Sequence, residues 1–120
     1  MKQVIPFVKV VVDRLPTYTP PGHDNTHNRK VIGAGNGAKH TEIIVGEMGR
    51  GGHASPHTHD TFEQSMFMLE GKLEITGGDG TKVTLEPGEA IFFPAGCEHQ
   101  IVSVAEKSRF VIVYSPPRPS

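Results

Sequence analysis

Gly51-Gly52-His53-Ala54-Ser55-Pro56-His57-Thr58-His59-Asp60-Thr61-Phe62-Glu63-Gln64 is the stretch on which the reading of this chain turns. On a strand, His57 and His59 are two residues apart, so both imidazoles leave the same face and can chelate one ion. Further donors are required. Gln64 and Glu63 lie on the next segment, and His99 comes after the Pro94-Ala95-Gly96 turn, where an antiparallel partner strand brings it back beside the pair. Three imidazoles and one oxygen suit one divalent transition metal per chain, of the Fe, Mn, Ni or Zn type, with open positions if the ion is octahedral.

Downstream, the chain alternates strand and punctuation. Gln64 to Glu70, Lys72 to Thr76, Lys82 to Leu85, Ala90 to Phe93, Gln100 to Val104 and Phe110 to Tyr114 read as strands. They are separated by Gly71, Gly77-Gly78-Asp79-Gly80, Pro87-Gly88, Pro94-Ala95-Gly96 and a charged turn at Glu106 to Arg109. Such spacing, with no helical stripe, predicts an all-β antiparallel sandwich or barrel. Upstream, Thr41 to Met48 reads as a strand that Gly49, Gly51 and Gly52 end in a turn. Residues 13–38 read mostly as loop, with a short strand at Arg29 to Ile32, and the β-branched run Val4 to Val12 reads as a terminal strand that pairs with a second subunit. Gly33-Ala34-Gly35-Asn36-Gly37-Ala38 fits the loose dinucleotide-binding fingerprint. That motif needs a helix directly after it, whereas Thr41, Ile43, Ile44 and Val45 prefer a strand, so the segment reads as plain loop.

With 120 residues the chain is read as one domain, turn-rich because of its 14 Gly and 10 Pro. Twelve Lys plus Arg against thirteen Asp plus Glu, without a basic run, argue against nucleic acid as a partner. The longest apolar stretch is far short of the roughly 20 residues a membrane span needs. Together with the single Cys97, which cannot form an internal disulfide, this gives the expectation of a soluble, cytoplasmic protein. Cys97 itself reads as a small buried hydrophobe, and His23, His27, His40 and His53 as solvated loop residues.

Two segments carry a family resemblance. Gly51-x5-His57-x-His59-x4-Gln64-x6-Gly71 resembles the first cupin motif, and Gly88-x5-Pro94-x-Gly96-x2-His99 resembles the second. The resemblance implies a single small cupin domain, an antiparallel jelly-roll barrel with its core over 39–115. It also implies His57, His59, His99 and Gln64 as metal ligands, with Glu63 the alternative to Gln64. A neutral amide in place of the more usual carboxylate leaves the ion its full charge, which favours an anionic ligand and polarises a carbonyl or enolate.

Met66 and Met68 share the parity of Gln64, and Phe110, Ile112 and Tyr114 share one parity in the last strand, so these residues are expected to line an apolar pocket. The run Ile112 to Arg118 is similar to the tail of small cupins that convert unsaturated uronates. That similarity implies roles in substrate binding or catalysis for Tyr114 and Arg118, while Ile112 stands where those enzymes carry an acid. An alkyl group moves no proton. Two functional classes are compatible with these residues. One is a metal enzyme, either a dioxygenase or a redox-neutral isomerase or lyase acting on an enolic, keto-acid or sugar-acid substrate; the other is a non-catalytic module that binds or senses a small ligand. Assembly is expected to be a homodimer.

Overall fold

The computed structural model describes residues 3–119. The described residues form eight strands: β1 (His23–Ile32), β2 (Glu42–His57), β3 (Glu63–Glu70), β4 (Leu73–Gly77), β5 (Lys82–Leu85), β6 (Ala90–Phe93), β7 (His99–Ser103) and β8 (Lys107–Ser115). Every pairing is antiparallel. The strands run in the order β5-β4-β7-β2-β8-β3-β6, with β1 on the free side of β2. This is the all-β, nearly closed jelly-roll barrel expected. No α-helix occurs among the described residues; Val12–Arg14 and Ala34–Asn36 are single 3-10 turns.

A period of two drives the folding of the central strands. Along β8, Ser108, Phe110, Ile112 and Tyr114 are buried while Arg109, Val111 and Val113 face outward. Along β3, Gln64, Met66 and Met68 are buried between exposed neighbours. Their inward faces meet Ile44, Met48, Leu73, Ile75 and Ile101 in one core. Phe110 is 1% exposed, and truncating such a ring costs about 3–5 kcal/mol.

Four expectations are corrected. First, β2 does not end at the glycines. It continues for 16 residues to His57, and its pairing passes from β8 (up to Gly49) to β7 (from His53). Gly51, at φ +77°, supplies a left-handed bend that other residues resist, so the chain changes neighbours without leaving the sheet. Second, residues 23–28 are not loop, and the strand expected at Arg29 to Ile32 begins at His23. This polar segment becomes β1 because β2 offers it a long ladder, with Thr26 and Asn28 turned inward. Local propensity had no access to that partner. Third, Val4 to Val12 forms no strand within the protomer. Residues 3–11 carry no regular secondary structure, with Val4, Ile5 and Phe7 more than four fifths exposed, and Val12 enters a 3-10 turn. The Glu106 to Arg109 turn is also shorter than expected, since β8 already begins at Lys107.

Candidate metal centre

The barrel brings His57, His59 and His99 together from separate segments. His57 ends β2, His99 opens β7 as its cross-strand partner, and His59 lies in the loop after β2, not on a strand. One ligand atom from each lies within 4.8 Å of the others. Ring centroids are 4.2 Å apart for His57 and His99 and 4.8 Å for His57 and His59.

Carbonyl groups set the tautomers. His57 Nδ1 donates to Ser55 O at 2.7 Å and His99 Nδ1 donates to Cys97 O at 3.0 Å. A carbonyl only accepts, so Nε2 of both rings keeps a free lone pair, the arrangement usual for metal-ligating histidines. His99 Nε2 is buried without a partner. Phe93 stacks on the His99 ring at 3.9 Å, and Phe62 stacks on His59 at 4.5 Å, so apolar contacts hold the rings in place.

Gln64 is 3% exposed and its Oε1 lies 3.1 Å from His59 Nε2, whereas Glu63, one residue away, points to solvent. The difference is the strand's parity. The centre thus gathers three imidazoles and a neutral amide oxygen, a donor set that fits a first-row divalent ion and that could hold one. Burial pushes the His99 imidazole down to about 4, and burial followed by the neighbouring His57 lowers that of His59. Neutral imidazole is the form that binds metal.

Behind the triad lies a cavity of about 320 Å³. Met66, Phe110, Ile112 and Tyr114 line it; Met68, expected there too, is wholly buried in the core behind the wall. Tyr114 stands edge-on to Phe62 at 5.3 Å, and burial raises its hydroxyl to about 12. Ile112 places an alkyl group in the wall, so no acid occupies that position.

Arg118 lines the same cavity, as expected, but its guanidinium is already engaged there. Its Nε and Nη2 donate to Glu42 at 2.8 and 3.0 Å, Nη2 also reaches Tyr18 Oη at 3.3 Å, and the guanidinium lies 4.6 Å from the centre of the Tyr114 ring. Burial works to raise the Glu42 carboxyl, but the Arg118 hydrogen bonds and charge outweigh it and leave it below its ordinary range. Arg118 is thereby a clasp that ties the C-terminal tail to β2.

One cavity residue escaped the sequence reading. His23, taken for a loop histidine, lines the cavity 6.1 Å from His57, with Nδ1 buried and unpartnered, and burial and His57 push it down to about 4. A bulge puts it there. The register of β1 on β2 shifts between Asp24 and Thr26, where two steps of β1 face five of β2 (Met48 to His53) and Asn25 adopts φ +44°; this break in the alternation lets His23 face inward with Thr26 and Asn28. Without the bulge its odd number would turn it outward. Cys97, expected to be buried, is half-buried against the core.

A family profile described as Cupin domain matches residues 44–114. No protein of curated function matches the chain at a significant level. Among solved structures, the polyketide cyclase RemF from Streptomyces resistomycificus is 30% identical, with a TM-score of 0.85 over 95% of this chain and 82% of that one. KdgF from Halomonas sp. is 23% identical, with a TM-score of 0.77 over 91% and 94%. Ectoine synthase from P. lautus is 14% identical, with a TM-score of 0.80 over 93% and 80%. The last two likenesses concern the fold alone.

Proposed function

The chain belongs to the cupin domain family, and on that footing we propose that it is a metal-dependent, redox-neutral enzyme acting on an enolisable substrate with several carbonyl groups, in the manner of a cyclase. The observation that carries this is the donor set: Nε2 of His57 and His99 are left free, His99 Nε2 is orphaned in a buried position, and His59 and the neutral Gln64 complete the group. A buried polar atom without a partner costs roughly 1–3 kcal/mol, which an ion on these lone pairs relieves. A bound divalent metal would act as a Lewis acid on a carbonyl oxygen. The anionic species received is then an enolate rather than a carboxylate, since Arg118 is engaged by Glu42.

The protein's own groups supply the rest. The apolar walls exclude water, and His23 Nδ1 is a free nitrogen beside the triad that accepts the proton from a carbon next to a carbonyl, in diacetylacetone the terminal methyl carbon. That carbon bonds to a distant carbonyl carbon of the same chain, and the resulting alkoxide takes the proton back from His23, directly or relayed through the Tyr114 hydroxyl, so both residues return to their starting state. No oxidant or reductant is consumed. The test uses diacetylacetone, which closes to orcinol with loss of water. Zn(II)- or Ni(II)-loaded protein under nitrogen should accelerate closure, and His99→Ala should abolish the acceleration. Ligand binding without acceleration across several triketones would instead make the protein a binding module, and dioxygen uptake would make it an oxygenase.

For assembly the proposal is a homodimer. The outward rows Ile43-Val113-Ser65-Phe92 and Val45-Val111-Phe67-Ala90 form a mostly apolar sheet face, with Phe67 45% and Phe92 52% exposed. The N-terminal tail starts above that face, where Asp13 pairs with Arg109 at 3.1 Å. Nine residues, if extended, span about 30 Å, more than the roughly 19 Å that separates the outer two of five strands. A twofold-related copy would therefore cover both the tail and the face.

A further inference from the structure

Asn28 is 3% exposed, lines the cavity, and has its carboxamide oxygen buried with no hydrogen-bond partner. A structural asparagine in a barrel wall is normally bonded, because an unsatisfied buried amide destabilises the fold. The surrounding chain makes room for it. Opposite it on β2 is Gly46, where an added Cβ would fall 2.6 Å from Asn28 Oδ1 and 2.5 Å from Phe110 Cε2. Thr26, the next inward residue of β1, already donates its hydroxyl to Asp24 O at 2.8 Å.

Its position defines what it could meet. Asn28, Gly46, Phe110 and Met68 lie in one cross-strand row, whereas Gln64 lies in the row of Tyr114. From Gln64 to Met68 the strand rises roughly 13 Å. The carboxamide thus lies at the end of the cavity remote from the metal centre, with apolar side chains between.

From this, and resting on the chelation reading above, we infer that Asn28 is a substrate-binding residue that hydrogen-bonds a second, neutral oxygen function, a hydroxyl or carbonyl, on an elongated apolar ligand whose other end chelates the metal. Such a ligand spans on the order of 10 Å, the size of two fused rings or a folded chain of similar length. A carboxylate is disfavoured at this end, because the neighbouring cavity residues Thr26, Met48 and Phe110 carry no charge, and Arg118 is bound to Glu42 in the row of Tyr114 and Gln64.

The experiment uses Co(II)-loaded protein and three probes: acetylacetone, naphthoylacetone, and naphthoylacetone carrying a hydroxyl on its distal ring. Chelation is read from the visible Co(II) spectrum. The distal hydroxyl should tighten binding to the wild type about tenfold, the value of one good hydrogen bond, and should give no gain in Asn28→Leu or Asn28→Ala. Both variants should bind acetylacetone normally, and Asn28→Leu should melt at the same or a higher temperature, which a structural hydrogen-bonding role would not permit. An equal hydroxyl gain in wild type and variants, or none in the wild type while acetylacetone binds, overturns the assignment of Asn28 alone. Failure of acetylacetone to perturb the spectrum overturns the chelation reading and this inference with it.

Discussion

Replacing Glu42 by Gln tests whether Arg118 is a clasp or a ligand-binding group. The Glu42 side chain is 6% exposed and that of Arg118 24%, with a two-point contact at 2.8 and 3.0 Å and Lys30 Nζ at 3.4 Å from the same carboxylate. Removing one partner of a buried ion pair costs about 3–5 kcal/mol, and the partial exposure of Arg118 argues for the lower end, about 3 kcal/mol. At about 4 °C per kcal/mol for a domain of this size, Glu42→Gln should lower the melting temperature by about 12 °C. Arg118→Gln should cost less, about 2 kcal/mol, because Lys30 still faces the carboxylate. The double variant should lose less than the sum, with a coupling of about 2 kcal/mol. Urea denaturation of the four proteins measures all three quantities. If each single change costs under about 0.5 kcal/mol and the two are additive, while Arg118→Gln weakens ligand binding, the clasp is refuted and Arg118 faces the ligand.

Gln64→Ala should weaken metal retention by roughly 10–100-fold in a chelator competition, while Glu63→Ala should leave it unchanged; the reverse order would place the strand one residue out of register. Metal-free protein should lose stability as pH falls from about 6.5 to 4. The folded state holds His99 at about 4, so the unfolded chain binds the proton first across that window. The contribution is complete above 6.5, and roughly 3 kcal/mol of it is lost on acidification. Urea midpoints at pH 7 and 4.5 that coincide would contradict this. Deleting residues 1–11 or introducing Phe67→Glu should convert a dimer into a monomer by light scattering, and a monomeric full-length protein would refute the assembly proposed above.

Much of the barrel was legible because its strands alternate strictly and its turns are marked by Gly and Pro. The spans Lys82–Leu85 and Ala90–Phe93 read from the sequence are the strands observed. Residues 23–28 were not legible, since His, Asp, Asn and Thr prefer turns when no neighbour is in view. Their strand exists through pairing with β2, and its bulge, which no spacing rule contains, turns His23 inward. The continuation of β2 through Gly51 was hidden for a related reason: glycine marks a turn in isolation, but also permits a bend within a ladder.

The two motif segments, with their fixed intervals between His57, His59, Gln64 and His99, determined by themselves the fold class and the residues to be gathered, because parity and turn positions are local properties. Where Arg118 and His23 ended up, and that Asn28 stands unbonded at the deep end of the cavity, was decided by tertiary structure alone. Ion pairing with Glu42, a bulge opposite β2 and the space left over Gly46 all join residues distant in the chain. Their energies exist only once the barrel has closed.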